Sequence, residues 1–446
     1  MVAAGAAQEC DIGIAHGRIA QLGGAMDGRE TLDARGLLVL PGAVDVHVHL
    51  TIPEERPGPT WCDDFESGSA AALAGGVTTI GNMCFPARDG DMLAAVRRDR
   101  ARATAMAMAD VLLHPVLVEP GPDRVEALAA VRAEGCGSVK MFMVDPAFDR
   151  AGAGVADVLR RAGELGLMTM LHGEDASIVE AATRDLLARG LGDWRHYGES
   201  RPVASEAVAV ERAGALALTA GAPVYMVHVS SAWGLEAAAR WRRRGARIYV
   251  ETRPLYLHLT EERMGEADAG KYVGQPPLRS HADQDALWRG LADGSVAAVA
   301  SDHAPWRLED KLDPELSVGR LRPGVANLEW ELPMLYSAGV AGGRLSLERL
   351  AAVTATNPAR LFGLYPRKGA ITVGSDADLA ILDPATTRAV APPYFSRAGY
   401  SAFEGTEVRG WPRYTLRRGE VVFADGQVLA RPGSGQVLAS QGFQAL

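Results

Sequence analysis

A short run rich in valine, isoleucine and leucine, followed by a polar turn and an alanine-rich amphipathic stretch, recurs along the middle of the chain. This alternation predicts βα units around a parallel sheet. We predict buried strands over residues 43–49, 77–83, 110–118, 138–143, 167–172, 224–229, 247–251 and 296–301. Eight strands close a TIM-type barrel, so the predicted fold class is α/β with a (β/α)8 barrel.

The segments between the predicted strands have helical character. Helices are predicted over residues 65–74, 125–133, 206–219 and 235–244, each long enough to cross back over a parallel sheet. The segments 175–222 and 252–295 are longer than a simple crossover requires. Because long insertions after barrel strands carry substrate-binding loops, we expect substrate contacts in these two segments.

The two ends of the chain differ from its middle. Residues 9–40 and 366–446 alternate between short strands and turns. Neither piece is large enough to form a core alone, so together they predict a small β-sandwich domain. The predicted division is residues 1–41 and 366–446 for the small β domain and residues 42–365 for the barrel.

Composition and charge argue against several classes of protein. The 446-residue chain has a formal net charge of −9, which disfavours a nucleic-acid partner because such binding depends on basic patches. It has no apolar run of about 18 residues that would indicate a membrane span, and its first residues lack the pattern of an export signal. A cytoplasmic location is therefore predicted. The four cysteines have no CxxC spacing, which argues against disulfides and a thiolate zinc site.

Candidate metal ligands fall at the ends of several predicted strands. Because strand side chains alternate, His47 and His49 point to the same side of their strand and converge on one point. An HxH pair alone is weak support for a metal site. Three more candidates, His172, His228 and Asp302, end or follow later strands, where this fold builds its active sites.

Lys140 lies within the apolar strand SVKMFM, where a lysine is costly unless it is paired or chemically altered. Four histidines, a carboxylate and this lysine predict a site for two divalent metal ions such as zinc. Such a pair can share a metal-bound hydroxide and polarise a carbonyl group, while Asp302 moves the proton. His303, next to Asp302, can only support the site from behind the ligands.

With these residues in place, the chain resembles the amidohydrolase superfamily, and within it the cyclic amidase branch of dihydropyrimidinases (hydantoinases), allantoinases and dihydroorotases. The matching stretches are PGAVDVHVHL, DDFESGSAAALAGGVTTI, SVKMFM, LHGED, VHVSS, ETRPLYLHLTEE, PPLR, ASDHAPW, TNPARLFGLYPRKGAI and GSDADLAILDP. The resemblance implies a hydrolase that opens a cyclic amide or imide ring.

The resemblance also implies a role for each candidate ligand. His47 and His49 would bind the more buried metal ion, and His172 and His228 the second. Lys140 would be carboxylated and would bridge both ions, which also resolves the cost of burying its charge. Asp302 would be both a ligand and the catalytic acid/base.

Several substrate-reading positions depart from the family pattern. Dihydroorotases carry an arginine just after the HxH pair, but this chain reads Leu50-Thr51-Ile52-Pro53, which argues against an acidic substrate. Hydantoinases have a tyrosine at the place of Asp145 and a serine at the place of Gln275. A glutamine still offers a donor and an acceptor to a cyclic amide. Asn327 lies in another stretch that is expected to bind substrate.

Other functions stay open at this point. The segment 57–61 followed by CDDF resembles allantoinases, and DHAP with ELPMLY resembles dihydroorotases. A non-catalytic dihydroorotase-like scaffold is a further alternative, although such a protein would be expected to lack ligands. The predicted partners are a small cyclic amide or ureide and further copies of the chain, as a homodimer or homotetramer, without nucleic acid or membrane.

Overall fold

The computed structural model describes residues 1–3, 6–52, 58–87 and 90–446. It contains a barrel of parallel strands surrounded by helices and a separate antiparallel sheet built from both ends of the chain. The strands, in chain order, are β1 (Val2–Ala3), β2 (Ala6–Ala7), β3 (Ile12–Ala15), β4 (Arg18–Leu22), β5 (Leu38–Pro41), β6 (Ala43–Val48), β7 (Val77–Cys84), β8 (Asp110–Pro115), β9 (Ser138–Phe142), β10 (Met168–His172), β11 (Val224–Val227), β12 (Ile248–Thr252), β13 (Ala298–Val299), β14 (Leu379–Ala389), β15 (Glu407–Arg417), β16 (Glu420–Ala424) and β17 (Gln427–Val428).

The α-helices lie mainly between the barrel strands. In chain order they are α1 (Phe65–Ala74), α2 (Met92–Met106), α3 (Pro122–Ala133), α4 (Pro146–Arg150), α5 (Ala153–Glu164), α6 (Ala176–Ala188), α7 (Tyr197–Ser200), α8 (Val203–Ala220), α9 (Ala232–Arg243), α10 (Pro254–His258), α11 (His281–Asp293), α12 (Leu308–Lys311), α13 (Glu331–Leu335), α14 (Leu347–Ala351) and α15 (Asn357–Leu361). Short 3-10 helices span Trp194–His196, Glu261–Gly265, Ala269–Tyr272 and Leu328–Trp330, and π-helical turns span Tyr336–Ala341 and Ala352–Thr356. Among the residues described, no helix is long and apolar enough to cross a membrane.

Strands β6 to β13 form the barrel. The first three pair in parallel as one sheet, and β9 to β13 pair in parallel as another. A parallel bridge between Val116 and Lys140 joins the two sheets on one side, and one between Val48 and His303 joins them on the other. These bridges complete the ring, and the predicted TIM-type barrel is confirmed.

All eight predicted strands are present, but several end earlier than predicted, and the last one is the shortest. Residues 296–301 were predicted to be extended, whereas β13 covers only Ala298–Val299. The chain leaves the strand geometry soon afterwards, because Asp302 has a φ of 49° in the left-handed region. This early end places Asp302 on the rim of the barrel.

The predicted helices are also present, with small shifts at their ends. Helix α1 has the predicted bounds because Asp64 caps its first turn and forms a capping box with Ser67. Helix α3 begins at Pro122, before the predicted residue 125, because a proline in the first turn gives up no helical hydrogen bond. Apolar strand side chains such as Val46, Met170 and Tyr225 pack with Phe362, which follows α15, in a buried core.

The antiparallel sheet has the order β17-β16-β15-β14-β5, so the N-terminal strand β5 pairs with the C-terminal strand β14. A separate antiparallel unit made from both termini is therefore confirmed as part of the fold. The bounds 1–41 and 366–446 stay a prediction. The last segment of the chain, beyond β17, also contacts the barrel. The Leu438 N–H there donates to Val111 O, in β8, at 2.8 Å.

A buried ionic cluster joins the antiparallel unit to the barrel. Lys368 Nζ lies 2.6 Å from Asp110 Oδ2 at the start of β8 and 2.6 Å from Asp378 Oδ2, which precedes β14. Asp376 Oδ2 is 3.1 Å from the same amine. The three carboxylates share one lysine within the protein interior, where unpaired charges are strongly unfavourable.

Candidate metal centre

The predicted ligands meet at one end of the barrel. His47 lies near the end of β6 and His49 directly follows that strand, His172 ends β10, and His228 directly follows β11. Asp302 lies beyond β13 on the same rim. All five side chains are buried. Parallel strands bring their carboxyl ends to one edge, which is why residues so distant in the sequence form one site.

Three of these residues form a compact group of metal-capable atoms. One ligand atom each from His47, His49 and Asp302 lies within 4.8 Å of the other two. Asp302 Oδ1 is 3.0 Å from His49 Nε2 and 3.3 Å from His47 Nε2. The two imidazoles and one carboxylate oxygen therefore surround a common point, as the HxH spacing predicts.

His172 and His228 form an adjacent pair. His172 Nδ1 lies 3.0 Å from His228 Nε2, and the rings of His47 and His228 stack with centroids 5.4 Å apart. The pair is thus contiguous with the first group. His228, like Asp302, has a positive φ, 42°, which non-glycine residues rarely adopt outside sites where the surrounding structure enforces it.

Lys140 lies beside His47. It comes from β9 and its Nζ is 3.3 Å from His47 Nε2. Within the part of the chain that the structure describes, no carboxylate forms an ion pair with it, and burial lowers its pKa to about 8. A neutral amine in this position can react with carbon dioxide, whereas a charged ammonium group cannot.

The chemistry of the donor set suits divalent metal ions. Burial lowers the pKa of His47, His49, His172 and His228, so all four imidazoles favour the neutral form that ligates metals. Two ring nitrogens in the group, His49 Nδ1 and His228 Nδ1, are buried without a hydrogen-bond partner in the described structure. Neutral imidazoles and a carboxylate are ligands that suit zinc.

Buried acidic residues orient the histidines from behind. Glu251 Oε1, from β12, lies 2.9 Å from His47 Nδ1 and also accepts the His228 backbone N–H at 2.9 Å. Burial raises the pKa of Glu251 to about 8. Glu174 Oε2 lies 2.7 Å from His172 Nε2. Carboxylates in this position fix the ring orientation and the tautomer of a ligating histidine.

Two arginines, the partly buried Arg201 and the fully buried Arg253, contact acidic residues of the site. Arg201 donates to Glu174 Oε2 at 2.5 Å, and Arg253 donates to Asp302 Oδ2 at 2.7 Å. Burial alone would raise the pKa of both carboxyl groups. The arginine charges, together with the hydrogen bonds and charges of the neighbouring histidines, outweigh burial, so the pKa of Glu174 falls to about 2 and that of Asp302 is held below its usual range.

Sequence reasoning missed these four supporting residues. Glu251 and Arg253 lie in the stretch ETRP, and Glu174 lies in LHGED. A signal was available, because Glu251 is a charged residue within an apolar strand, which is also the feature that singles out Lys140.

His303 supports the site mainly through its backbone. Its carbonyl oxygen accepts the His49 N–H at 2.8 Å, while its ring nitrogen Nε2 lies 2.9 Å from Asp63 Oδ2.

The three predicted substrate-binding residues occupy different environments. Asn327 is buried, donates to Ser301 O at 3.0 Å and leaves Oδ1 without a partner in the described structure. In the amide orientation that satisfies both side chains, the oxygen of Gln275 accepts two N–H groups of Arg201 at 3.0 and 3.1 Å. The carboxylate of Asp145 caps α4 by accepting the Ala147 N–H at 2.9 Å. Their binding roles stay predictions.

Aromatic rings border the histidines. The Trp61 ring lies 4.9 Å from the His49 ring, and Phe85 lies 5.8 Å from it. Phe142 lies 5.7 Å from His172. The site therefore combines a polar centre with an apolar border.

The segment after the HxH pair, where dihydroorotases carry an arginine, is described at Leu50, Thr51 and Ile52. Pro53 lies outside the described residues, and so does Pro57 of the allantoinase-like segment.

Comparison with known proteins defines the class of this barrel and site. The family model described as "Amidohydrolase family" matches residues 38–422. The chain therefore belongs to the amidohydrolase family, as its sequence motifs predict.

Relatives within that family place it more narrowly. The chain is 36% identical to a D-hydantoinase of Geobacillus stearothermophilus over 98% of this chain and 94% of the relative. The solved structure of a D-hydantoinase from Bacillus sp. AR9 matches with a TM-score of 0.95 and 34% identity, covering 100% of this chain and 98% of that one. A dihydropyrimidinase from Brevibacillus agri NCHU1002 matches with a TM-score of 0.94, 31% identity, and coverage of 100% and 98%. The predicted relationship to the cyclic amidase branch is confirmed.

Proposed function

We propose that this chain is a metal-dependent hydrolase that opens a cyclic amide or imide ring, with hydantoins and dihydropyrimidines as the substrate class. The observation that carries this proposal is the convergence of four histidines, Lys140 and Asp302 at one end of the barrel. The relatives named D-hydantoinase and dihydropyrimidinase support the type of ring.

Two divalent metal ions, zinc in our proposal, would be held by these side chains. His47 and His49 would bind one ion, His172 and His228 the other, and a carboxylated Lys140 would bridge them with Asp302 as a further ligand. When bound, such ions polarise a carbonyl group and activate water for attack. Carboxylation would turn the unpaired amine of Lys140 into an anion, which removes the cost of burying a lysine among imidazoles.

Asp302 is suited to move the proton. Its Oδ1 faces His47 and His49, while its Oδ2 is held by Arg253, so the carboxylate has one defined orientation. In the proposed reaction it takes a proton from the attacking water and gives it to the ring nitrogen that leaves. The ring opens because the carbon–nitrogen bond breaks as that nitrogen is protonated.

Amide groups near the site would read the substrate. Because Arg201 occupies the oxygen of Gln275, the Gln275 amide can offer N–H groups to a ring carbonyl. Asn327 has a buried oxygen free to accept an N–H group of the ring. The border of Trp61, Phe85 and Phe142 would contact an apolar substituent on the ring.

The alternatives have less support. The relatives named above are hydantoinases and a dihydropyrimidinase, which does not favour an allantoinase-like or dihydroorotase-like activity. An inactive scaffold is expected to have lost ligands, but every predicted ligand position is filled in this chain. A homodimer or homotetramer and a cytoplasmic location stay predictions.

The proposal is tested by a turnover screen across hydantoin, 5-phenylhydantoin, dihydrouracil, allantoin and dihydroorotate with zinc-loaded protein. We expect ring opening of the hydantoins or dihydrouracil to exceed that of allantoin and dihydroorotate. His47→Asn should abolish this turnover. The matched control is His16→Asn, because His16 is exposed at a positive φ of 52° that asparagine tolerates. Preferential opening of allantoin or dihydroorotate would contradict the assigned substrate class.

A further inference from the structure

Arg253 is a fully buried cation at the rim of the barrel. It directly follows β12 and is 0% exposed. A guanidinium group removed from water is strongly unfavourable unless it is paired with an anion. Because Arg253 lies next to the metal-capable residues, we expect its charge to be paired with an anionic side chain of the site.

That partner is Asp302. Arg253 Nη1 donates to Asp302 Oδ2 at 2.7 Å, while Asp302 Oδ1 faces His49 Nε2 at 3.0 Å. The two carboxylate oxygens thus have different partners on opposite sides. Among the residues that the structure describes, Arg253 is the one arginine or lysine that forms an ion pair with Asp302.

The backbone of Asp302 does not secure this orientation by itself. Its φ of 49° is unfavourable for a residue with a side chain, so it persists only where surrounding contacts enforce it. The buried ion pair with Arg253 is such a contact. A charge-assisted hydrogen bond restricts the rotation of a carboxylate more strongly than a neutral one does.

The guanidinium group also packs against the segment that contains Gln275. A Cβ atom at Gly274 would lie 3.3 Å from Arg253 Nη1 and 3.5 Å from Nη2, and the Arg253 guanidinium carbon lies 5.2 Å from the Tyr256 ring centre. The arginine therefore lies close to both Asp302 and the segment that contains Gln275. This packing fixes the point from which it holds the carboxylate.

We infer that Arg253 is a positioning residue for ring opening, which holds Asp302 Oδ2 so that Oδ1 stays directed at the histidine pair and the reacting atoms. This role rests on the proposed function, since it concerns the proton transfer assigned to Asp302. Arg253 acts on the reaction through Asp302. Its loss should therefore slow proton transfer while leaving the amide groups that bind the ring in place.

The test compares zinc-loaded Arg253→Met, Arg253→Gln and Arg253→Lys with the wild type, using hydantoin as the substrate. We expect Arg253→Met to lower kcat by about 100-fold with KM changed less than about threefold, because small misplacement of a catalytic group has effects of this order. Arg253→Lys retains a cation and should recover kcat to within about tenfold of the wild type. Arg253→Gln keeps a hydrogen-bond donor but removes the charge, and it takes the place of Arg253→Met in the comparison if that variant does not fold.

The matched control is Arg279→Met. Arg279 is also buried, but it donates to Ser230 Oγ at 3.1 Å and Arg201 O at 2.7 Å and makes no contact with Asp302. Bound zinc per chain and Tm are measured for every variant, so that loss of metal or of folding is separated from loss of kcat. Arg253→Met and Arg279→Met should both lower Tm, but only Arg253→Met should lower kcat by about two orders of magnitude at full zinc content.

Several outcomes would overturn the role of Arg253. The first is a kcat of Arg253→Met or Arg253→Gln that stays within about threefold of the wild type. The second is a loss of kcat in Arg279→Met that equals the loss in Arg253→Met, and the third is a loss of kcat that lost zinc fully explains. If the wild type opens no ring in the substrate screen, the proposed function itself fails. If the wild type is active and the Arg253 variants are unaffected, the positioning role alone fails.

Discussion

Glu251 Oε1 lies 2.9 Å from His47 Nδ1 and accepts the backbone N–H of His228 at the same distance. One carboxylate therefore contacts residues of both histidine groups. With its proton on Nδ1, His47 donates to Glu251 and presents the lone pair of Nε2 toward Asp302 and Lys140. Glu251, which is not one of the predicted ligands, therefore sets the His47 tautomer whose Nε2 can bind a metal ion.

The Glu251→Gln variant tests this relationship. A glutamine keeps the size of the side chain, but it can present an N–H group to His47 and so favour the wrong tautomer. We expect zinc affinity or kcat/KM to fall by about 10- to 100-fold, the usual effect of losing such a partner. Zinc affinity is measured by competition with a chelator. An unchanged affinity together with an unchanged kcat/KM would show that Glu251 does not set the tautomer.

Carboxylation of Lys140 predicts chemical rescue. Lys140→Ala should lose bound metal and activity, and a small carboxylic acid such as acetate or propionate should restore part of both by replacing the bridging anion. The control is Lys311→Ala, because Lys311 is also buried but donates to the backbone oxygens of Val273 and Gly324. No rescue is expected there, since a carboxylate cannot replace a donor. Rescue of Lys311→Ala, or none of Lys140→Ala, would contradict the carboxylated lysine.

The orientation of the Gln275 amide predicts a change in substrate binding. Gln275→Glu keeps an acceptor for Arg201 but removes the N–H donors proposed to contact the ring carbonyl. We expect KM for hydantoin to rise about tenfold with little change in kcat, since one hydrogen bond contributes about 0.5–1.5 kcal/mol. Steady-state kinetics measure this split. An unchanged KM would place Gln275 outside the substrate contacts.

The buried cluster around Lys368 predicts a pH-dependent stability. Burial would raise the pKa of Asp110, but Lys368 and Arg418 outweigh burial and hold it below its ordinary value of 3.8. A carboxyl group with a lowered pKa in the folded state stabilises the protein above its unfolded pKa, and this stabilisation is lost as the pH falls through the acid range. Asp110→Asn removes that contribution.

We therefore expect Asp110→Asn to be destabilised by about 3–5 kcal/mol near neutral pH, because it breaks a buried ion pair. The difference from the wild type should narrow as the pH is lowered from about 5 toward about 3. Urea unfolding at several pH values measures both effects. A difference that stays constant or widens over this range would contradict the assigned direction of the pKa shift.

The barrel and the ligands could be predicted because they leave periodic signals. His172 ends an apolar strand, and Lys140 interrupts another, so strand geometry alone brings them to a common site. The early end of β13 could not be predicted in this way, nor could the positive φ of Asp302 that follows it. That backbone conformation is enforced by contacts with residues from other strands.

Long-range contacts account for what sequence reasoning did not identify. Arg253 and Asp302 are 49 residues apart, and Glu251 and His47 are 204 apart, so no local pattern links them. Asp145 shows the opposite case: it was predicted to bind substrate because it replaces a family tyrosine, whereas its carboxylate caps α4. A local capping role is compatible with a contact to substrate.

The most direct test of the two-metal hydrolase is a titration of chelator-treated protein with zinc while ring opening of hydantoin is followed. We expect no turnover without metal and a rate that rises in proportion to bound zinc and levels off at about two ions per chain. Turnover by metal-free protein at the rate of the zinc-loaded enzyme would contradict it, and so would fully zinc-loaded protein that opens neither hydantoin nor dihydrouracil.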